Sequence, residues 1–267
     1  LWDKGLIYEG KYILPYCPRC ATVLSTHELA QGYKDVKDTA VTVRFKITKA
    51  PEAIDDKDLE NGRTYFIAWT TTPWTLPSNL GLCMGPEIDY VKILDKESGD
   101  FYIFAEARLC AYYKNPEDYE IIYRRKGKDF IGAEYEPLFP YFASLSDPSE
   151  CERISGQKCS EGAFRMFNAA YVSTEDGTGI VHIAPAFGED DNLVFRGSGV
   201  PNVEPIDAEC KFTSEVSDYK GRFVKDCDKD ICDRLKAEKK LVKKEQYEHS
   251  YPHCWRCSSP LIYRGIG

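Results

Sequence analysis

The sequence predicts an α+β, β-rich domain, a β-barrel-like core with peripheral helices. Three observations predict it. Residues 41–47 alternate strictly, with Val41, Val43, Phe45 and Ile47 apolar against Thr42, Arg44 and Lys46. That is the period of a half-buried strand. Turn signals then recur at short intervals, while helical periodicity is scarce. Finally, 267 residues with 43% hydrophobic and 29% charged side chains make a globular composition, able to bury enough to offset the entropy of ordering.

In chain order, residues 1–18 mix Gly, Tyr and Lys without helical period and read as an extended lead-in. After the strand at 41–47, Asn61-Gly62 turns the chain into a second apolar strand at 65–70, which ends in a Pro-punctuated loop. Residues 90–94 and 101–104 flank a Lys-Glu-Ser-Gly-Asp turn and form a hairpin. Residues 106–114 read as a short helix stopped by Asn115-Pro116. The stretch 144–162 has no usable period and reads as a long surface loop. Strands resume at 165–171 and 179–183, on either side of a turn at 174–177. Asp228 is expected to cap a helix running to Lys239, whose far face is a run of lysines. The organisation expected is a leading segment over 1–36, a core over 37–248 and a closing segment over 249–267.

Composition removes several function classes. With 35 basic and 43 acidic side chains the net charge is −8, which argues against gripping nucleic acid by bulk electrostatics, though not against a site for one nucleic-acid end. No apolar run is long enough to cross a bilayer, so no membrane partner is expected. No basic-then-apolar leader opens the sequence, and Leu1 stands where Met would, so a segment of a longer protein is expected. Eleven cysteines cannot all pair internally, which favours a reducing, cytoplasmic setting.

Four of these cysteines have a pattern. Cys17-Pro-Arg-Cys20 and Cys254-Trp-Arg-Cys257 are two matched C-x-x-C knuckles, able to give one Zn²⁺ a closed tetrahedral shell of thiolates. Such a zinc is structural, and it would staple the two ends of the chain together. The alternative is two unrelated reduced thiol pairs. His27 and His253 are fallback ligands, and the other seven cysteines are scattered singly as core or surface residues.

Two polar motifs remain. Trp69-Thr70-Thr71-Thr72-Pro73-Trp74-Thr75-Leu76-Pro77-Ser78-Asn79 sets hydroxyls beside an apolar wall, although alone it reads as a β-edge in which Thr suits the strand. Gly177 to Asp191 carries His182 and then the carboxylates Glu189, Asp190 and Asp191 at a helix start. By themselves these read as a core histidine and N-terminal dipole complementarity.

Together with the two cysteine knuckles, these motifs resemble the editing domain of isoleucyl-tRNA synthetases, the connective-peptide insertion of the class I catalytic core. The resemblance covers essentially the whole chain and implies the fold shared by the valyl, isoleucyl and leucyl editing domains. The valyl and leucyl enzymes typically carry Arg where this chain has Thr72. No HIGH-type or KMSKS-type signature occurs, so ATP is expected to be used only by a catalytic core outside this chain.

The implied activity is water attack on the aminoacyl ester of tRNA(Ile) mischarged with valine. Isoleucyl enzymes are the standing example of why this is needed, since one methylene gives only about 150-fold discrimination of Ile from Val. The resemblance implies Asp191 as ligand of the α-ammonium, with Asp190 the alternative after a one-residue slip. It implies Thr70, Thr71 and Thr72 as contacts of the terminal adenosine and ester. His182 would reject isoleucine by size, and Trp74 and Tyr251 are weaker candidates for the pocket wall. Implied partners are the tRNA(Ile) 3′ end, the valyl ester or valyl-adenylate, and the remainder of the parent synthetase. The contrasting reading is a zinc-stabilised, non-catalytic RNA-binding module using the lysines of 236–244 with Arg124, Arg125 and Lys126. A Ser or Cys hydrolase is disfavoured, because no nucleophile elbow is visible.

Overall fold

The computed structural model describes residues 6, 10–51, 54, 59 and 62–267. In chain order the strands are β1 Tyr12–Cys17, β2 Thr22–Val23, β3 Tyr33–Lys49, β4 Thr64–Thr70, β5 Gly81–Met84, β6 Asp89–Asp95 and β7 Phe101–Ala105. They continue as β8 Tyr119–Lys126, β9 Glu134–Tyr135, β10 Arg165–Asn168, β11 Ile180–Ile183, β12 Leu241–Pro252 and β13 Ile262–Ile266. Among the described residues five short α-helices surround them: α1 Thr26–Ala30, α2 Leu109–Tyr112, α3 Pro148–Ser155, α4 Glu189–Phe195 and α5 Asp228–Ala237.

The expected barrel is present. Pairing runs β3-β9-β10-β5-β11-β4 and returns to β3, a closed ring that removes free edges. Inside it Phe45, Phe66, Leu82, Met84 and Tyr135 are essentially excluded from water. From β4 a wing of β7, β6 and β8 extends outward, built on the expected hairpin with Tyr90 opposite Ala105. The strand expected at 41–47 is the inner half of the much longer β3. Its outer half pairs with β12 from Tyr33 opposite Pro252 to Val43 opposite Leu241. Thr42 is buried within the alternating run, its hydroxyl 2.9 Å from that of Tyr112 on the same face of the sheet.

A separate three-stranded sheet, β13-β1-β2, brings the two ends of the chain together, with Tyr12 opposite Ile266 and Tyr16 opposite Ile262. It is fastened to the barrel side by Arg264, whose Nε donates to Glu204 at 2.9 Å and whose guanidinium lies 5.3 Å from the Tyr16 ring centre. The Tyr16 hydroxyl donates to the Ala208 carbonyl.

Three expectations need correction. The supposed loop at 144–162 contains α3. Asp147 caps it through Ser149 N–H, Pro148 opens it, and Gly156 closes it with φ of +68°, the start and stop chemistry of a helix. Its Cys151 and the following Cys159 are buried. Asp228 is the first residue of α5, not its cap, and Cys227 in the cap position makes no side-chain capping bond, its thiol donating instead to the Phe223 carbonyl. The helix expected over 106–114 is a 3₁₀ turn, Glu106–Arg108, followed by the single turn of α2. Of the turn at Asn61-Gly62, Asn61 lies outside the described residues, and Gly62 has φ of +59°. The lead-in before Gly10 lies outside them too, apart from Leu6. No helix among the described residues is long and apolar enough to cross a membrane.

Candidate active site

The site forms where β4 ends. Thr70 is its last residue, and the chain turns at once into a buried 3₁₀ segment, Pro73–Ser78, whose prolines fit its irregular backbone. β11 lies parallel to β4 with Val181 opposite Trp69, which delivers His182 to the same end of the barrel. A continuous hydrogen-bonded chain results. Thr70 Oγ1 lies 3.1 Å from Thr72 Oγ1, and Thr72 Oγ1 lies 3.1 Å from Thr75 Oγ1. Thr75 Oγ1 is 2.9 Å from His182 Nε2. On its other side His182 Nδ1 meets Asn79 Nδ2 at 2.9 Å, and the Tyr135 hydroxyl donates to Asn79 Oδ1 at 2.7 Å. Burial pushes the His182 pKa down to about 3, so the ring is neutral wherever the protein works. Thr71 is half-exposed, and among the described residues no hydrogen bond of its hydroxyl is formed.

At the start of α4, Glu189 and Asp190 face solvent, while Asp191 turns inward. Its Oδ2 accepts the Ala184 N–H at 2.8 Å, one residue past β11. Gly188 makes this possible: a Cβ there would stand 2.8 Å from Asp191 Cγ. Burial pushes the Asp191 pKa up to about 7, with the Ala184 N–H pulling it down and Asp190 adding to the rise. Among the described residues no cationic side chain pairs with this inward carboxylate. Tyr171 and Cys83 are its electrostatic neighbours, and burial pushes the Cys83 thiol up to about 12.

The remaining candidates sit around this centre. Trp74 is buried, edge-on to Phe187 at 4.9 Å. Its backbone N–H donates to Asp228 Oδ1 at 2.8 Å, so Asp228 anchors the threonine loop rather than capping its own helix. Burial pushes that carboxyl up to about 7 as well. Tyr251 stands apart, donating to the Leu261 carbonyl with Lys225 Nζ 4.0 Å from its ring centre. It makes no hydrogen bond or ring contact with His182 or Asp191. Thr75, Asn79 and Tyr135 were not anticipated as site residues. The first two lie inside the quoted threonine motif, and a buried histidine needs two partners, which was the available signal. Tyr135 gave none, because only barrel closure brings it near.

The four knuckle cysteines converge. Their Sγ atoms lie within 4.8 Å of one another, with Cys17 and Cys257 at 3.4 Å and Cys20 and Cys254 at 4.0 Å. Thiolates 2.3 Å from a tetrahedral zinc stand about 3.8 Å apart, so the donor set and spacing fit that ion. His27 and His253 are not in the group. Four of the eight residues in the basic clusters are paired with acids: Arg124 with Glu106, Lys126 with Asp89, Lys240 with Glu238 and Lys243 with Glu245.

Comparison with solved structures places this architecture among editing domains. The editing domain of the P. knowlesi cytosolic leucyl-tRNA synthetase superposes with a TM-score of 0.51 at 12% identity, over 82% of this chain and 99% of that one. Its P. falciparum counterpart gives 0.50 at 12%, over 78% and 99%. At such identities the likeness concerns the fold. The family model for class I tRNA synthetases (I, L, M and V) matches residues 1–255, and the chain belongs to that family. Among curated relatives, isoleucine–tRNA ligase from Treponema denticola is 56% identical over the whole chain, and that from Bacillus thuringiensis is 44% identical over 98% of it. The chain spans about a quarter of the length of these relatives, 25% and 22%.

Proposed function

We propose that this chain is the editing domain of an isoleucine–tRNA ligase and hydrolyses Val-tRNA(Ile) by water attack on the aminoacyl ester. The observation that carries this reading is the inward Asp191 carboxylate, held to Ala184 N–H where β11 ends, two residues beyond His182 of the threonine–histidine chain. A substrate with an ammonium and an ester a few ångströms apart can meet both. Asp191 takes the α-ammonium through a charge-assisted hydrogen bond. The hydroxyls at 70–72 hold the ester and a water, so that positioning rather than a strong base supplies most of the rate. His182, neutral and fixed on both sides, forms a rigid wall that admits valine and excludes the larger isoleucine. Trp74 against Phe187 supplies apolar wall, and Tyr251 a more distant flank.

Zinc bound by Cys17, Cys20, Cys254 and Cys257 would cross-link the two chain ends, and its closed shell leaves no position for substrate. The terminal adenosine of tRNA(Ile) and the rest of the synthetase are the partners. With net charge −8 and half of its basic-cluster residues ion-paired, the domain itself offers little general attraction for RNA. That also weighs against a non-catalytic RNA-binding module.

A complex of this chain with a non-hydrolysable valyl-adenosine analogue tests the reading. The expected result is the ammonium within hydrogen-bond distance of Asp191. An ammonium on Asp190, or an analogue seated away from the threonines, would overturn it.

A further inference from the structure

The hydroxyl chain has a direction, and it can be derived from either end. The Thr75 hydroxyl donates to the Thr72 carbonyl at 2.8 Å, which uses its only proton. Thr75 Oγ1 must therefore accept from both Thr72 Oγ1 and His182 Nε2. Thr72 has then spent its proton on Thr75, so the Thr70–Thr72 contact is donated by Thr70, whose own oxygen accepts the Thr72 N–H. From the opposite end, Asn79 Nδ2 donates to the Gly81 carbonyl at 2.8 Å, and the Tyr135 hydroxyl donates to Asn79 Oδ1. The amide is thereby oriented. Its nitrogen faces His182 Nδ1, which must accept, leaving the ring proton on Nε2. Both derivations give the same tautomer.

We propose that Asn79 and Tyr135 are positioning residues that hold His182 as its neutral Nε2–H tautomer, and that this makes Thr70 and Thr72 acceptors only toward the substrate. Every hydroxyl proton of Thr70, Thr72 and Thr75 is committed inward and both lone pairs of Thr75 are taken, so what Thr70 and Thr72 turn outward is one lone pair each. Lone pairs can receive a proton of the attacking water or of a ribose hydroxyl. They cannot stabilise negative charge on the ester carbonyl oxygen. Of the four threonines only Thr71 keeps a free hydroxyl proton, and the donor role at that oxygen falls to it. The tautomer stands on hydrogen bonds alone, whereas the assignment of Thr71 rests on the hydrolase reading.

The test begins without substrate. This chain, labelled with ¹⁵N-histidine, contains four histidines, and long-range ¹H–¹⁵N correlation distinguishes the two tautomers. His182 is expected to show a protonated Nε2 and a bare Nδ1, unchanged from about pH 5 to 8. An Nδ1–H tautomer would overturn the proposal. Asn79→Asp replaces the donor with an acceptor and is expected to move the proton to Nδ1. Tyr135→Phe keeps the ring edge-on to Phe45 at 5.3 Å and is expected to bring in the second tautomer. A spectrum identical to the parent's removes Tyr135 from the role. In the full synthetase, Thr71→Val is expected to lower kcat for Val-tRNA(Ile) hydrolysis by about 100-fold with little change in KM, and Thr71→Ser to restore it. If the unaltered enzyme hydrolyses Val-tRNA(Ile) but Thr71→Val matches it, the donor assignment fails alone. If the unaltered enzyme does not hydrolyse it, the hydrolase reading fails and the tautomer remains.

Discussion

Asp191→Asn is expected to lower hydrolysis of Val-tRNA(Ile) by about 100-fold and, in the same protein, to raise the melting temperature at pH 8. The two effects share one cause. Asn keeps an oxygen for the Ala184 N–H but cannot neutralise an ammonium, and a lost charged hydrogen bond is worth about 1.5–3 kcal/mol. Burial raises the Asp191 pKa to about 7, above the roughly 3.9 of an unfolded chain. A raised carboxyl pKa means that the folded state favours the proton. That stabilisation is fully present below about pH 4 and is lost as pH rises through 7. At pH 8 the native carboxylate therefore costs stability, up to about 4 kcal/mol at 1.36 kcal/mol per pKa unit. The parent's kcat/KM should rise with pH through about 7 and then level, while the Asn variant shows no such limb. Asp228→Asn is the control, because that carboxyl is also raised to about 7 but faces the backbone of Trp74. It should gain stability with a much smaller loss of hydrolysis. Undiminished hydrolysis in Asp191→Asn would remove Asp191 from the mechanism.

The second large effect concerns the ends of the chain. One zinc per chain is expected by metal analysis, and Cys254→Ser should weaken its binding by 100-fold or more, since loss of second-shell support alone costs 10- to 100-fold. Metal binding couples to folding where ligands come from distant parts of a chain. Chelation should therefore expose the amides of β1, β2 and β13 to hydrogen exchange while the barrel amides stay protected. A chain that holds no stoichiometric metal, and whose exchange pattern ignores both chelator and Cys254→Ser, would show that these thiols merely pack together.

Much of this arrangement is legible in the residues themselves. The alternation at 41–47 marks a barrel strand, the paired C-x-x-C knuckles mark the convergent cysteines, and both polar motifs lead to one end of the barrel. What the sequence hides is long-range. Tyr135 reaches Asn79 only because β9 joins β3 in the closed ring, and no local pattern encodes that pairing. Asp228 sits where a cap is expected, yet its carboxylate serves the backbone of a loop 154 residues earlier. The missed helix α3 is a different case: Asp147, Pro148 and Gly156 are its start and stop signals, but the short apolar content between them conceals its period.

The hydrolase reading stands or falls on relative rates. Val-tRNA(Ile) and Ile-tRNA(Ile) are supplied to the full synthetase and ester loss is followed over time. The expected result is rapid loss of the valyl ester with the isoleucyl ester spared, and attack on both once His182→Ala removes the wall. A parent enzyme that leaves Val-tRNA(Ile) intact would contradict it.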